Sequence, residues 1–148
     1  MQQRVIIAGF GPVGRALADE LSRRHVPFTI IEANPQTVRA QQALGRHAVH
    51  GDATDPAVLR QAGIDRASAL AITIPDPDAA LRACRAARSL APGIHITARV
   101  THMSQAMLAH EAGADSVTVE ELATAQALAE SFTDLLPRPR HLIAEGAD

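Results

Sequence analysis

The sequence predicts an α/β fold: a doubly wound, parallel six-stranded sheet in a single domain. Three observations predict it. An apolar run, Val5-Ile6-Ile7-Ala8, leads straight into Gly9-x-Gly11-x-x-Gly14. A second apolar run, Phe28-Thr29-Ile30-Ile31, ends on Glu32, an acid 18 positions after the last glycine. Beyond it, short apolar runs alternate with helix-like stretches punctuated by proline and glycine. The glycines alone are a weak signal. Strand, glycine turn, helix and distal acid together form the nucleotide-binding fingerprint of a Rossmann-like βαβ unit.

Each element has its own justification. The first strand is expected over residues 4–8 and the first helix over 12–25. Pro12 suits a first helical turn, where a missing N–H is no loss. Val13, Leu17 and Leu21 recur every four residues and mark one helical face. After the strand 28–32, Asn34-Pro35 opens a helix over 35–44, closed by Gly45. A third strand, 47–50, is followed by Asp52-Ala53-Thr54-Asp55-Pro56, which turns into a helix over 56–62 ended by Gly63. The fourth strand, 69–74, is nearly all apolar, as a strand covered on both faces should be. Asp76-Pro77-Asp78 starts a long helix over 77–91, stopped by Pro92-Gly93. Then come a strand over 95–100, a helix over 103–112 capped by Gly113, a strand over 116–119 and a helix over 121–136. Pro137-Arg138-Pro139 cannot continue that helix, so a domain of residues 1–136 and a tail of 137–148 are expected.

In such a sheet the ligand crevice lies at the carboxyl ends of the strands, beside the first. The residues expected there are Gly9, Phe10, Gly11, Pro12, Val13 and Gly14, then Glu32-Ala33, Asp52-Ala53, Thr73-Ile74-Pro75 and Arg99. Gly9 permits the sharp turn off the strand, Gly11 lets a phosphate approach the backbone, and Gly14 lets helix and strand pack closely. The helix N-terminus offers free N–H groups to an anion. Glu32 can accept from ribose hydroxyls, and its charge repels a 2′-phosphate, favouring NAD or an adenosine nucleotide over NADP. Asp52 can accept from adenine or ribose, or cap the following helix. Arg99 can pair with phosphate, or with a carboxylate such as Glu121.

Composition narrows the function classes. The chain has 148 residues, 47% of them hydrophobic, and a net charge of −2 without a basic stretch, which argues against nucleic acid as the main partner. No apolar run reaches the roughly 18 residues of a membrane span. The N-terminus has no signal-peptide layout and Cys84 is the one cysteine, so a cytoplasmic protein is expected. Cys84 reads as a packed core thiol rather than a redox switch. With Leu81 core as well, Arg85 and Arg88 read as a solvated face of the same helix, or as a contact with a partner subunit. Lysine and tyrosine are absent, which removes Schiff-base chemistry, a P-loop lysine and a Tyr–Lys dyad. The seven histidines are scattered. His47 and His50 should point to opposite faces of a strand, and His102 and His110 to similar, solvated sides of a helix. No group has metal-ligand spacing, and no catalytic residue is assigned.

The motifs Arg4-Val5-Ile6-Ile7-Ala8-Gly9-Phe10-Gly11, Gly51-Asp52-Ala53-Thr54-Asp55-Pro56, Ala62-Gly63-Ile64-Asp65, Thr97-Ala98-Arg99-Val100 and Gly113-Ala114-Asp115-Ser116-Val117 resemble the potassium-transport nucleotide-binding domain. This TrkA-N domain is the N-terminal lobe of RCK domains in Trk- and Ktr-type regulators and Kef-type antiporters. The resemblance covers roughly residues 4–136. It implies binding of NAD(H), AMP, ADP or ATP, with the glycine loop on phosphate, Glu32 on ribose and Asp52-Ala53 at the adenine edge. It implies a membrane potassium channel or antiporter as partner, a place on the cytoplasmic side of the inner membrane, and dimers or larger rings formed through the later helices. Glu121 matches an acidic position that helps some relatives hold a divalent ion near phosphates. Two features depart from the pattern. Pro12 stands where many relatives carry a phosphate-contacting arginine, and Glu120-Glu121 where many have Pro-Glu. The C-terminal lobe of two-lobed regulators is absent from this sequence. The rival readings are a small NAD-dependent oxidoreductase, which the fingerprint supports equally, and a structural interaction module with a decayed site, for which Pro12 argues.

Overall fold

A computed structural model of the chain describes residues 2–138. Six parallel strands form one sheet in the order β3-β2-β1-β4-β5-β6, so the strand order reverses between β1 and β4. The strands are β1 Val5–Ala8, β2 Phe28–Glu32, β3 His47–His50, β4 Ala69–Ile72, β5 His95–Val100 and β6 Ser116–Val119. The helices are α1 Pro12–Arg23, α2 Pro35–Ala43, α3 Pro56–Gln61, α4 Pro77–Leu90, α5 Ala106–Glu111 and α6 Glu120–Ser131. The six-stranded, doubly wound architecture is the expected one.

Strand alternation assigns the two cores. Ile6 and Ala8 of β1 join Ile31, Leu70, Ile72 and Ile96 beneath α3, α4 and α5. Ile7, one residue out of phase, joins Ile30, Phe10 and Ala18 beneath α1. Arg46 donates to Gln41 of α2 at 2.8 Å and reaches Asp19 of α1 at 3.4 Å, so α1 and α2 share the second face. Helices α1 to α4 each carry a proline in the first turn, and Asn34 and Asp55 accept from the backbone N–H of Gln36 and Ala57, both at 2.9 Å, as caps of α2 and α3.

Several expected boundaries move, each for a local reason. Helix α1 stops at Arg23, not His25, because His25 has φ of 55° and cannot stay helical. Its buried positions are Gly14 and Ala18, with Leu17 and Leu21 packed beside them, whereas Val13 is 42% exposed and faces the ligand end of the sheet. Strand β4 ends at Ile72 rather than residue 74: its ladder with β1 stops at the Ala8–Ile72 pair, where β1 turns away at Gly9. The expected helix from 103 begins as a 3₁₀ turn, Met103–Gln105, in which the Gln105 side chain accepts from the N–H groups of Thr101 and His102. His102 therefore lies ahead of α5 and does not share a side with His110. Helix α6 starts at Glu120, one residue early, and gives way after Ser131 to a 3₁₀ turn, Thr133–Leu135. There the hydroxyls of Ser131 and Thr133 compete for the carbonyls of Leu128 and Ala129. Arg88 is not solvated: its guanidinium donates to the carbonyls of Gly113, Pro92 and Ile94 and to Asp115. Arg85 is exposed, Leu81 packs against the core and Cys84 is fully buried, as expected. The expected tail lies, from residue 139, outside the described residues. Among those residues no helix is long and apolar enough to cross a membrane.

Candidate functional site

A cleft of about 590 Å³ opens at the carboxyl ends of β1, β2, β3 and β4, where the strand order reverses. Of the fourteen positions expected there from Gly9 to Arg99, Gly14 alone does not line it. The three glycines divide by role. Gly9 has φ of 101°, a conformation that disfavours any side chain. A Cβ on Gly14 would lie 2.2 Å from the Gly9 carbonyl oxygen, so α1 can cross β1 this closely only with glycine. Gly11 is different. Its φ of −82° suits any residue, and a Cβ there would meet no atom within 4 Å. Nothing in the protein requires glycine at 11, and the vacant space lies in the cleft.

Gly11 is also the N-cap of α1 and provides no side-chain hydrogen bond, so the first-turn N–H groups of Val13 and Gly14 keep their donors uncapped. Beside them Glu32 braces the loop. Its carboxylate accepts from the N–H of Phe10 at 2.7 Å and from that of Asn34 at 3.0 Å. Asp52 closes an Asx turn, accepting from the N–H and the hydroxyl of Thr54, both at 2.8 Å. Those two bonds, the backbone one first, hold its carboxyl below the usual carboxylate range, so Asp52 is an anion at neutral pH. The cap of α3 falls to Asp55, which leaves the second oxygen of Asp52 free for a ligand.

Thr73 reaches the cleft mainly through its backbone. Its hydroxyl is turned beneath the loop, 2.7 Å from the Gly9 carbonyl. Its own carbonyl accepts from Arg99 at 2.9 Å. Arg99 pairs with Glu120, not with Glu121, and its Nε is buried without a partner. Starting α6 one residue early brings Glu120 to the guanidinium and turns Glu121 outward, where it accepts from the N–H of Met103 at 2.7 Å and meets His102. Glu121 therefore does not line the cleft. Among the described residues, no group of three or more His, Cys, Asp or Glu is placed to hold a metal. Asn34, Thr37 and Ala79 also line the cleft and were not singled out from sequence. They occupy a cap or a first turn just after a strand end, and that placement is the signal that points to them.

A family model, the TrkA-N domain, matches residues 5–120. The chain belongs to the TrkA-N domain family. Among curated proteins, this TrkA-N domain is 32% identical over 122 residues to the putative K⁺ efflux antiporter KefB of Alkalimonas amylolytica, matching 82% of the chain and 18% of the antiporter. The chain thus spans under a fifth of that relative. Among solved structures it resembles the TrkA-N domain of the inner membrane protein ybaL from Escherichia coli, with a TM-score of 0.84 and 27% identity over 88% of this chain and 97% of that one. It also resembles the Kef CTD of Shewanella denitrificans in its AMP-bound form, with a TM-score of 0.79 and 28% identity over 92% and 83% of the two chains. A GsuK channel bound to NAD aligns with a TM-score of 0.77 and 34% identity over 87% of this TrkA-N domain and 23% of the channel chain.

Proposed function

We propose that this domain, within residues 1–136, binds NAD(H) or an adenosine nucleotide (AMP, ADP or ATP) in the cleft and regulates a potassium channel or antiporter without catalysis of its own. The carrying observation is Gly11: its backbone and packing would accept a side chain, and the lack of one leaves open space beside the uncapped α1 N-terminus where a phosphate can approach the backbone. The uncapped α1 N-terminus takes phosphate, Glu32 the ribose hydroxyls and Asp52 the adenosine edge. Relatives bound to AMP and NAD, and others that are potassium antiporters, support ligand and setting alike. The domain sits on the cytoplasmic side of the inner membrane, against its transporter. A second copy covers the apolar surface of α5 and α6, where Met107, Leu108, Leu122 and Leu128 are exposed. Binding then acts by favouring one arrangement of the copies over another.

Calorimetry with NADH, NAD⁺, AMP, ADP and ATP, with and without Mg²⁺, tests the reading. Binding by at least one of them is expected, weakened tenfold or more in Gly11→Ala, whose fold is retained. Absence of binding by all five overturns it.

A further inference from the structure

The cleft and helix α6 meet at one ion pair. Among the described residues, Arg99 supplies the only cationic side chain that lines the cleft. Its guanidinium bonds the carbonyl of Thr73 on the cleft floor and the carboxylate of Glu120, the first residue of α6. Its Nε is buried without a partner, so the guanidinium meets the cleft through the same terminal nitrogens that hold Glu120 and the Thr73 carbonyl. Helix α6 itself has no buried residue along its length and is anchored at its base. The anchors are the Arg99–Glu120 pair, the bond from the N–H of Glu121 to the Thr101 carbonyl at 3.2 Å, and the Glu121 carboxylate on Met103.

We propose that Glu120 and the phosphate of a bound nucleotide compete for Arg99, so that ligand binding loosens the first turn of α6. The proposal rests on the nucleotide reading of the cleft. A phosphate carries more charge than a carboxylate and takes a guanidinium in a bidentate grip, so it outcompetes Glu120 once bound at the α1 N-terminus. Glu120 tolerates the loss, because a helix N-terminus still stabilises its charge. The exchange turns occupancy of the cleft into freedom of a helix on the far side of Arg99. It also sets affinity: the carboxylate holds Arg99 away from ligand until phosphate displaces it.

Glu120→Gln tests both halves, with AMP, ADP and NADH as probes. Removing the competing charge is expected to tighten AMP and ADP about fivefold. Hydrogen exchange is read at the amides of Thr124 and Ala125, which bond back to the first turn of α6. In the wild type AMP should speed their exchange; in Glu120→Gln exchange should be fast already and AMP should change it little. Glu121→Gln is the control: it loosens the same turn but leaves AMP affinity unchanged. Unchanged or weaker AMP binding by Glu120→Gln, with the wild type still binding, overturns the competition and leaves the site reading intact. So does wild-type exchange at α6 that AMP does not alter, a measurement that decides the matter even if the variant fails to fold. Failure of the wild type to bind any of the three probes overturns both.

Discussion

The backbone N–H of Phe10 donates a 2.7 Å hydrogen bond to Oε2 of Glu32, tying the end of β2 to the glycine loop that follows β1. The other oxygen of the same carboxylate holds Asn34. Glu32 therefore shapes the loop and places negative charge in the cleft, where the proposed binding mode puts a ribose. The two roles separate by mutation. Glu32→Gln keeps an acceptor for Phe10 and should cost less than about 1 kcal/mol of stability, whereas Glu32→Ala frees the Phe10 N–H and should cost about 1–2 kcal/mol. Both remove the charge that repels a 2′-phosphate, so NADP⁺, expected to bind at least about tenfold more weakly than NAD⁺ to the wild type, should close that gap in both variants. Thermal melts and competition binding read the two effects independently.

Gly11 and Gly14 should respond in opposite ways to one added methyl group. In Gly14→Ala the Cβ collides with the Gly9 carbonyl, a backbone atom that cannot step aside, so a loss of roughly 3 kcal/mol or more is expected. In Gly11→Ala the Cβ enters open space and stability should stay within about 1 kcal/mol of the wild type. Urea unfolding of the two variants checks this; equal losses would mean that the loop is packed differently.

The fold was legible because its strands and glycines carry physics of short range. The apolar runs became the strands, and proline opened four helices where it was expected to. What escaped the sequence was side-chain choice between neighbours. Glu120 and Glu121 are chemically identical, and only the exact start of α6 decides which one meets Arg99. Arg88 reads as a surface residue of its helix, yet the carbonyls of Gly113, distant in sequence, and of Ile94, beyond the helix end, give its guanidinium partners. Thr73 was expected at the cleft and is there, but its hydroxyl serves the Gly9 carbonyl. Each of these depends on tertiary contacts that periodicity does not encode.

Asp115 should dominate the acid limb of stability at the amino ends of β5 and β6. Its carboxylate accepts from the Ile96 N–H and from Arg88, both at 2.7 Å. Those bonds, the backbone one first, hold its pKa below the ordinary value. A depressed folded pKa means stabilisation that is complete above the unfolded value, near pH 4, and is lost as pH falls through the folded one. The side chain is partly exposed, so the effect is discounted to about 1 kcal/mol. Asp115→Asn should lower stability at pH 7 by that amount and flatten the decline as pH falls below about 4. Chemical denaturation across that range measures it.

Cys84 should be chemically silent in the folded protein. Its side chain, on α4, is fully buried against α5, and burial pushes its thiol pKa up, so little thiolate exists at neutral pH. A maleimide or disulfide reagent should label it only as fast as the domain opens, with complete labelling in denaturant. Fast labelling of the native chain would show that α4 and α5 separate readily.

Charge should rank the ligands. The cleft holds the carboxylates of Glu32 and Asp52, while its one cationic side chain, Arg99, is already paired with Glu120. Pro12 adds neither charge nor N–H at the start of α1. The first phosphate can take Arg99 from Glu120, but each further one brings negative charge into a cleft with no second cationic side chain among the described residues, and the cost grows from AMP to ATP. Without Mg²⁺, ATP should bind at least about tenfold more weakly than AMP or NAD⁺. Mg²⁺ should narrow the difference by neutralising the β- and γ-phosphates, and higher salt should narrow it by screening the carboxylates. Titrations of ATP and AMP at two ionic strengths give the answer. ATP binding as tightly as AMP in the absence of metal would mean that a cation outside this cleft, from a second copy or from the transporter, completes the phosphate site.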